Sequence, residues 1–101
     1  MEKIVWTKLA LEDIIDIEEY IAKNSKLYAQ LTIENFFKRV KMLINFPQAG
    51  RVVPEINKTK IRELIEGNYR IVYTTKAKIV YILRVHHSAR LLTKAIRLNK
   101  I

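Results

Sequence analysis

Two adjacent histidines, His86 and His87, one glutamate, Glu55, and the arginines Arg51, Arg62, Arg70, Arg84 and Arg90 are the side chains of this sequence best suited to chemistry. Histidine near its ordinary pKa exchanges protons at neutral pH. A carboxylate can accept a proton, and a guanidinium holds an anion through a rigid fork of donors. Together they are parts for general acid–base work beside a negative centre. Their setting is basic. The net charge of +9 lies wholly in residues 51–101, where twelve Lys/Arg face Glu55, Glu63 and Glu66, whereas residues 1–50 balance seven cations with seven acids. Such asymmetry points to a polyanionic or acidic partner. With no cysteine there is no thiolate metal site and no disulfide framework, and no cofactor or metal is expected.

The elements that must hold these groups follow from the spacing of apolar residues. A chain of 101 residues, half of them hydrophobic, fits a single domain spanning residues 1–101. The N-terminus is too short and too charged for a signal peptide, and no apolar run approaches the ~20 residues of a membrane span. A cytoplasmic protein is expected, with no membrane partner. Ile4-Val5-Trp6 reads as a short strand and Thr7 as the cap of a helix over about residues 8–23, with Ala10, Ile14, Ile17 and Ile21 on one face. Glu12, Asp13, Asp16 and Glu19 are read as its solvated side. Ser25 caps a second helix, about 26–46, striped by Ala29, Ile33, Phe36, Val40 and Leu43. The short link makes an antiparallel hairpin.

Phe46-Pro47 stops the second helix. A loop from Gln48 to about Thr59 follows, with Gly50 and Pro54 as its stiff points. Period two then takes over, in runs 61–66, 69–74 and 78–87, with Gly67-Asn68 as the first turn. A last amphipathic segment from Ser88 carries Ala89, Leu92 and Ile96 on one side and Arg90, Lys94 and Arg97 on another. The expected fold is α+β, in the order β-α-α-β-β-β-α. A small antiparallel sheet has the hairpin on one face, and its other face is left open for function.

Several of these stretches resemble one family. Pro47-Gln48-Ala49-Gly50-Arg51-Val52-Val53-Pro54-Glu55 is similar to the P-x-x-G-R-x-V-P-E segment of RelE/ParE superfamily toxins. Arg62-Glu63-Leu64 and Asn68-Tyr69-Arg70-Ile71-Val72-Tyr73 resemble their R-E-L and Y-R-I-x-Y strands, and Val85-His86-His87-Ser88-Ala89-Arg90 resembles their V-x-H-x-A-R strand end. Trp6, Ala10 and the Ile14–Ala22 run fit the opening, so the resemblance covers nearly the whole chain. It implies the toxin of a type II toxin–antitoxin (plasmid stabilisation) module, held inactive by a cognate antitoxin, as a homodimer or a toxin–antitoxin heterotetramer. ParE-like members bind DNA gyrase and block replication; RelE-like members cut mRNA in the ribosome without a metal. The G-R-x-V-P-E and V-x-H-x-A-R strings are closer to the ParE-like branch. A non-toxic basic nucleic-acid-binding domain is the further alternative.

A RelE-like reading would use His87, Arg62, Arg70, Arg90, Glu55 and Tyr73 as its catalytic set, with Glu55 or a histidine as base and His87 as acid. A ParE-like reading would use Arg51, Arg62, Arg84, Arg90, Lys94 and Arg97 for partner binding. Arg62 and Arg70, on neighbouring strands, are expected to share a face. The same residues have ordinary uses. Arg51 can bond loop carbonyls, Arg62 can pair with Glu55 or Glu63, and Tyr69, Tyr73 and Tyr81 can pack beneath the helices, Tyr73 being the one kept for stacking on a base or hydrogen bonding to it. No complete acid–base set is legible, which favours gyrase over mRNA.

Overall fold

The computed structural model describes residues 1–88. The segment carrying Ala89, Arg90, Leu92, Lys94, Ile96 and Arg97 lies outside them. A four-residue strand, β1 (Lys3–Trp6), leads into α1 (Lys8–Ala22) and α2 (Lys26–Lys41), and a 3-10 turn (Met42–Ile44) extends α2. Four strands complete the order: β2 (Arg51–Val52), β3 (Arg62–Glu66), β4 (Tyr69–Lys76) and β5 (Ile79–His87).

Both helices start where a hydroxyl can replace the missing backbone acceptor. Thr7 Oγ1 accepts from Ala10 N at 3.3 Å and Ser25 Oγ accepts from Tyr28 N at 3.0 Å. The Thr7 hydroxyl also donates to Ile82 O at 2.8 Å, which pins the start of α1 to β5. The second helix ends earlier than its apolar stripe suggests, tightening into the 3-10 turn before Phe46-Pro47.

The five strands form one sheet in the order β1-β5-β4-β3-β2. Strands β2 to β5 pair antiparallel, but β1 runs parallel to β5, with Lys3 opposite Ile79 and Trp6 opposite Ile82. The sheet is therefore mixed, which corrects the expected antiparallel one. The helical hairpin and the meander together serve as the long crossover that a parallel neighbour requires. The expected loop also contributes the two-residue strand β2.

Ala10, Ile14, Ile33, Phe36, Val40 and Leu43 of the helices bury against Leu64, Ile71, Tyr73, Val80, Ile82 and Val85, with Ile17 partly buried beside them. Ile82 and Val85 are three apart yet share this face, because a bulge opposite Val72/Tyr73 inserts Leu83 into β5. The other face is not open. Residues Val53, Ile56 and Ile61 fold over it and pack on Val72, Leu83 and Tyr81, so Tyr81 sits on the side away from the helices.

The two hairpin turns differ. Gly67-Asn68 opens with Gly67 at φ 57°, which glycine adopts without strain. At the β4–β5 tip, however, Ala77 and Lys78 both have positive φ, 52° and 65°, where Asn-Gly would be favoured. A Lys78→Gly variant is expected to gain about 1 kcal/mol from relief of this conformation, seen as a thermal midpoint raised by roughly 4–8 °C. An unchanged or lower midpoint would mean that the tip is not strained.

Candidate functional site

On the sheet face away from the helices, four charged side chains form a chain of contacts. Arg51 stands opposite Glu63 in the β2–β3 register, and Arg70 of β4 lies diagonal to Glu63. Arg70 Nε donates to Glu63 Oε1 at 2.6 Å and Arg51 Nε donates to Glu63 Oε2 at 2.7 Å. The other end of Arg70 grips Glu55 with two bonds, at 2.6 and 2.8 Å. Glu63 is 1% exposed and Arg70 5%, so both oxygens of a buried carboxylate are occupied by guanidinium groups. Bonding to Glu55 raises the Arg70 pKa above its usual value, ahead of the smaller contribution from Glu63 and against burial. The network binds the 53–61 segment to the sheet. It leaves Glu55 as an acceptor on a permanent cation, a poor arrangement for a general base.

Arg62 is elsewhere. It stands opposite Tyr73, three residues from the Ile65–Arg70 pair, and so projects to the opposite face from Arg70. This corrects the expectation of a shared face, and the signal was present: a two-residue turn puts Glu66 against Tyr69 and fixes the rest. Arg62 Nη1 donates to Gly50 O at 2.9 Å. The anticipated uses are thus exchanged, since Arg62 bonds the loop carbonyl and Arg51 takes the carboxylate. Tyr73 is fully buried, its hydroxyl donating to Pro47 O at 2.8 Å and accepting from Gly50 N at 2.9 Å. Burial raises the phenol pKa. A ring so enclosed cannot stack on a base, so that assignment is withdrawn.

The histidines divide. His86 is buried opposite Arg70, whereas His87 is exposed at the end of β5 with its ring edge-on to Tyr69 at 5.6 Å. His87 lies opposite Tyr69 and Arg62 opposite Tyr73, so the two are separated by roughly 13 Å along the strands. Arg84 forks onto Asp13 of α1 at 2.8 and 3.0 Å, which raises its pKa through that bond foremost. Asp13 also accepts from Val85 N at 2.9 Å, capping the β5 edge beyond the end of β1. Asp13 is therefore not on the solvated side of α1 as helical spacing alone suggests, and only the identity of the strand flanking α1 reveals its role. Among the described residues no group of three or more His, Cys, Asp or Glu is placed to hold a metal ion, and no helix is long and apolar enough to cross a membrane.

The structure therefore links Glu55 to Arg70, Arg70 to Arg51 through Glu63, and Arg62 to Tyr73 through Gly50; it puts Arg62 and Arg70 on opposite faces and holds Arg62 apart from His87. Arg90, Lys94 and Arg97 lie outside the described residues. Residues 4–92 match the family described as the ParE toxin of type II toxin–antitoxin systems, parDE. Toxin RelE2 of Caulobacter vibrioides is 34% identical over 92 residues, covering 90% of this chain and all of the relative. The solved structure titled "Chromosomal ParDE TA system from P. aeruginosa" is 24% identical with a TM-score of 0.72, covering 86% of this chain and 96% of that one. It supports the fold.

Proposed function

The chain belongs to the ParE toxin family of type II toxin–antitoxin systems, and from that membership we propose that it arrests growth in the cytoplasm by binding DNA gyrase. Membership implies a cognate antitoxin that holds it inactive. One observation carries the choice of target. Metal-free RNA cleavage needs a base, an acid and a charge clamp around one phosphate. Here the candidate base and clamp, Glu55 and Arg70, are locked together on one sheet face at 2.6 Å, while Arg62 projects from the other. A surface that works by binding needs no such convergence.

Purified toxin is expected to inhibit supercoiling of relaxed plasmid by gyrase and to leave mRNA intact in a translating extract. His87→Gln should keep this inhibition within about twofold. Neutralising Arg90, Lys94 and Arg97 together should lower it at least tenfold, since cationic surface drives the encounter. Cleavage of mRNA within translating ribosomes, lost in His87→Gln at unchanged melting temperature, would make the protein a ribonuclease.

A further inference from the structure

The basic excess is distributed differently from what the arginines suggest. Among the described residues Arg39, Arg51, Arg70 and Arg84 face carboxylates. Lys58, Lys60, Lys76 and Lys78 are exposed and form no ion pair among those residues. Register gathers these lysines at one end of the sheet. Lys76 and Lys3 stand on either side of Ile79, Lys78 occupies the tip, and the Thr74 hydroxyl donates to Lys60 O at 2.7 Å. Lys58 is one turn away, its carbonyl accepting from Ile61 N. Glu2, bonded through its N–H to Lys78 O, is an acid at this end, outnumbered by the cations.

Within this end lies a groove of about 230 Å³ lined by Gln48, Thr59, Lys60, Arg62 and Thr75 against Pro47 and Tyr73. Its polar side chains are an amide, three hydroxyls, of which that of Tyr73 is already bonded to Pro47 O and Gly50 N, an ammonium and a guanidinium, and no carboxylate of the described residues lines it. An anion with several acceptor oxygens matches such a set. Of the exposed large apolar side chains, Met1 and Phe46 lie at this end, Phe46 in a pocket with Met42 and Ala49 that shares Pro47 and Gln48 with the groove, while Ile65 is at the far end of β3 and the rest belong to α1 and α2. The lysines thus outnumber the two exposed apolar anchors of this end, Met1 and Phe46, a balance that suits a phosphate backbone better than a protein partner. The positive-φ tip that holds Lys78 is a conformation retained at some cost in stability, as functional positions often are.

We infer that this end is a DNA-backbone contact that spans the sheet end: the groove takes one phosphate on the helix side, while Lys3 and Lys76 on the opposite face, with Lys58 and the tip Lys78, meet other phosphates of the same duplex. Lys3 and Lys76 are two strand spacings apart, about 10 Å, a length of duplex that carries roughly six phosphate charges. The contact rests on the gyrase reading, because gyrase works on duplex DNA. It would hold the toxin to the enzyme–DNA complex rather than to free enzyme.

The test is fluorescence anisotropy of a short labelled DNA duplex, with wild-type protein and with Lys58, Lys60, Lys76 and Lys78 all changed to Gln, over a salt series. Removing one phosphate contact should lower the log–log salt slope by about 0.9, so the fourfold variant is expected to show a slope smaller by roughly three to four units and an affinity at least tenfold weaker. Lys78→Gly separates binding from folding, since it should bind DNA more weakly while melting higher. Wild-type slope and affinity in the fourfold variant would overturn the assignment, as would tighter, lysine-dependent binding of single-stranded RNA of equal length. If the toxin inhibits gyrase but DNA binding ignores these lysines, the DNA contact alone falls. If lysine-dependent DNA binding is present and supercoiling is untouched, the gyrase reading falls and the DNA contact stands.

Discussion

Arg70→Ala is expected to destabilise the protein by about 3–5 kcal/mol, the cost of stranding a buried carboxylate. Glu63 is 1% exposed and would keep only Arg51, itself largely in solvent. Glu55 would lose both of its bonds to the guanidinium, and with them the 53–61 segment would lose its charged tie to β4, keeping the Thr74 bond to Lys60 O. Removing the charges as a set should be far milder, because a buried ion cluster exchanged for packed apolar groups is often neutral. Arg70→Met with Glu63→Leu should therefore recover most of what Arg70→Ala loses. Urea unfolding of the three proteins checks this, and growth arrest should follow stability across the series. An Arg70→Ala protein that melts like the wild type but no longer arrests growth would give Arg70 a direct part in the activity.

Gly50→Ala is the second large effect, for a different reason. A Cβ at Gly50 would fall 2.5 Å from Glu63 O and 2.7 Å from the ring and hydroxyl of Tyr73. Neither neighbour can give way cheaply. One is strand backbone and the other a fully buried ring bonded to Pro47 O and Gly50 N. Overpacking combined with strained hydrogen bonds is expected to cost about 3 kcal/mol. Tyr73→Phe should cost less, about 1–3 kcal/mol, by leaving Pro47 O and Gly50 N without their partner. Thermal melts of both variants measure the difference. Equal stability of Gly50→Ala and wild type would contradict the close approach.

Much of the scaffold was legible because periodicity reports burial directly. The stripes through Ala10 and Ile14, and through Ile33, Phe36 and Val40, lie where helical spacing put them, with Thr7 and Ser25 as caps. Alternation and the Gly67-Asn68 turn disclosed the β3–β4 hairpin. The direction of β1 was hidden, since four residues with no turn to a neighbour carry no information about pairing. The bulge at Leu83 was hidden for a related reason: a period of two hides a single inserted residue until the partner strand is known. The charged network was the hardest part to read. Glu63 is an ordinary glutamate in a strand, and only the register of three strands turns it into a buried hub for Arg51 and Arg70.

The parallel pairing of β1 with β5 bears on how the chain is made. Lys3 is synthesised long before Ile79, so β1 waits for almost all of the described residues before it can dock. Local pairs such as the α1–α2 hairpin can form early, whereas this contact closes a very long loop and is correspondingly slow. Thr7 reinforces the delay, because its bond to Ile82 O fixes the start of α1 only when β5 is in place. Truncated products that end before β5 therefore cannot complete the sheet, and the toxin fold becomes a property of a chain that has reached β5, not of shorter fragments.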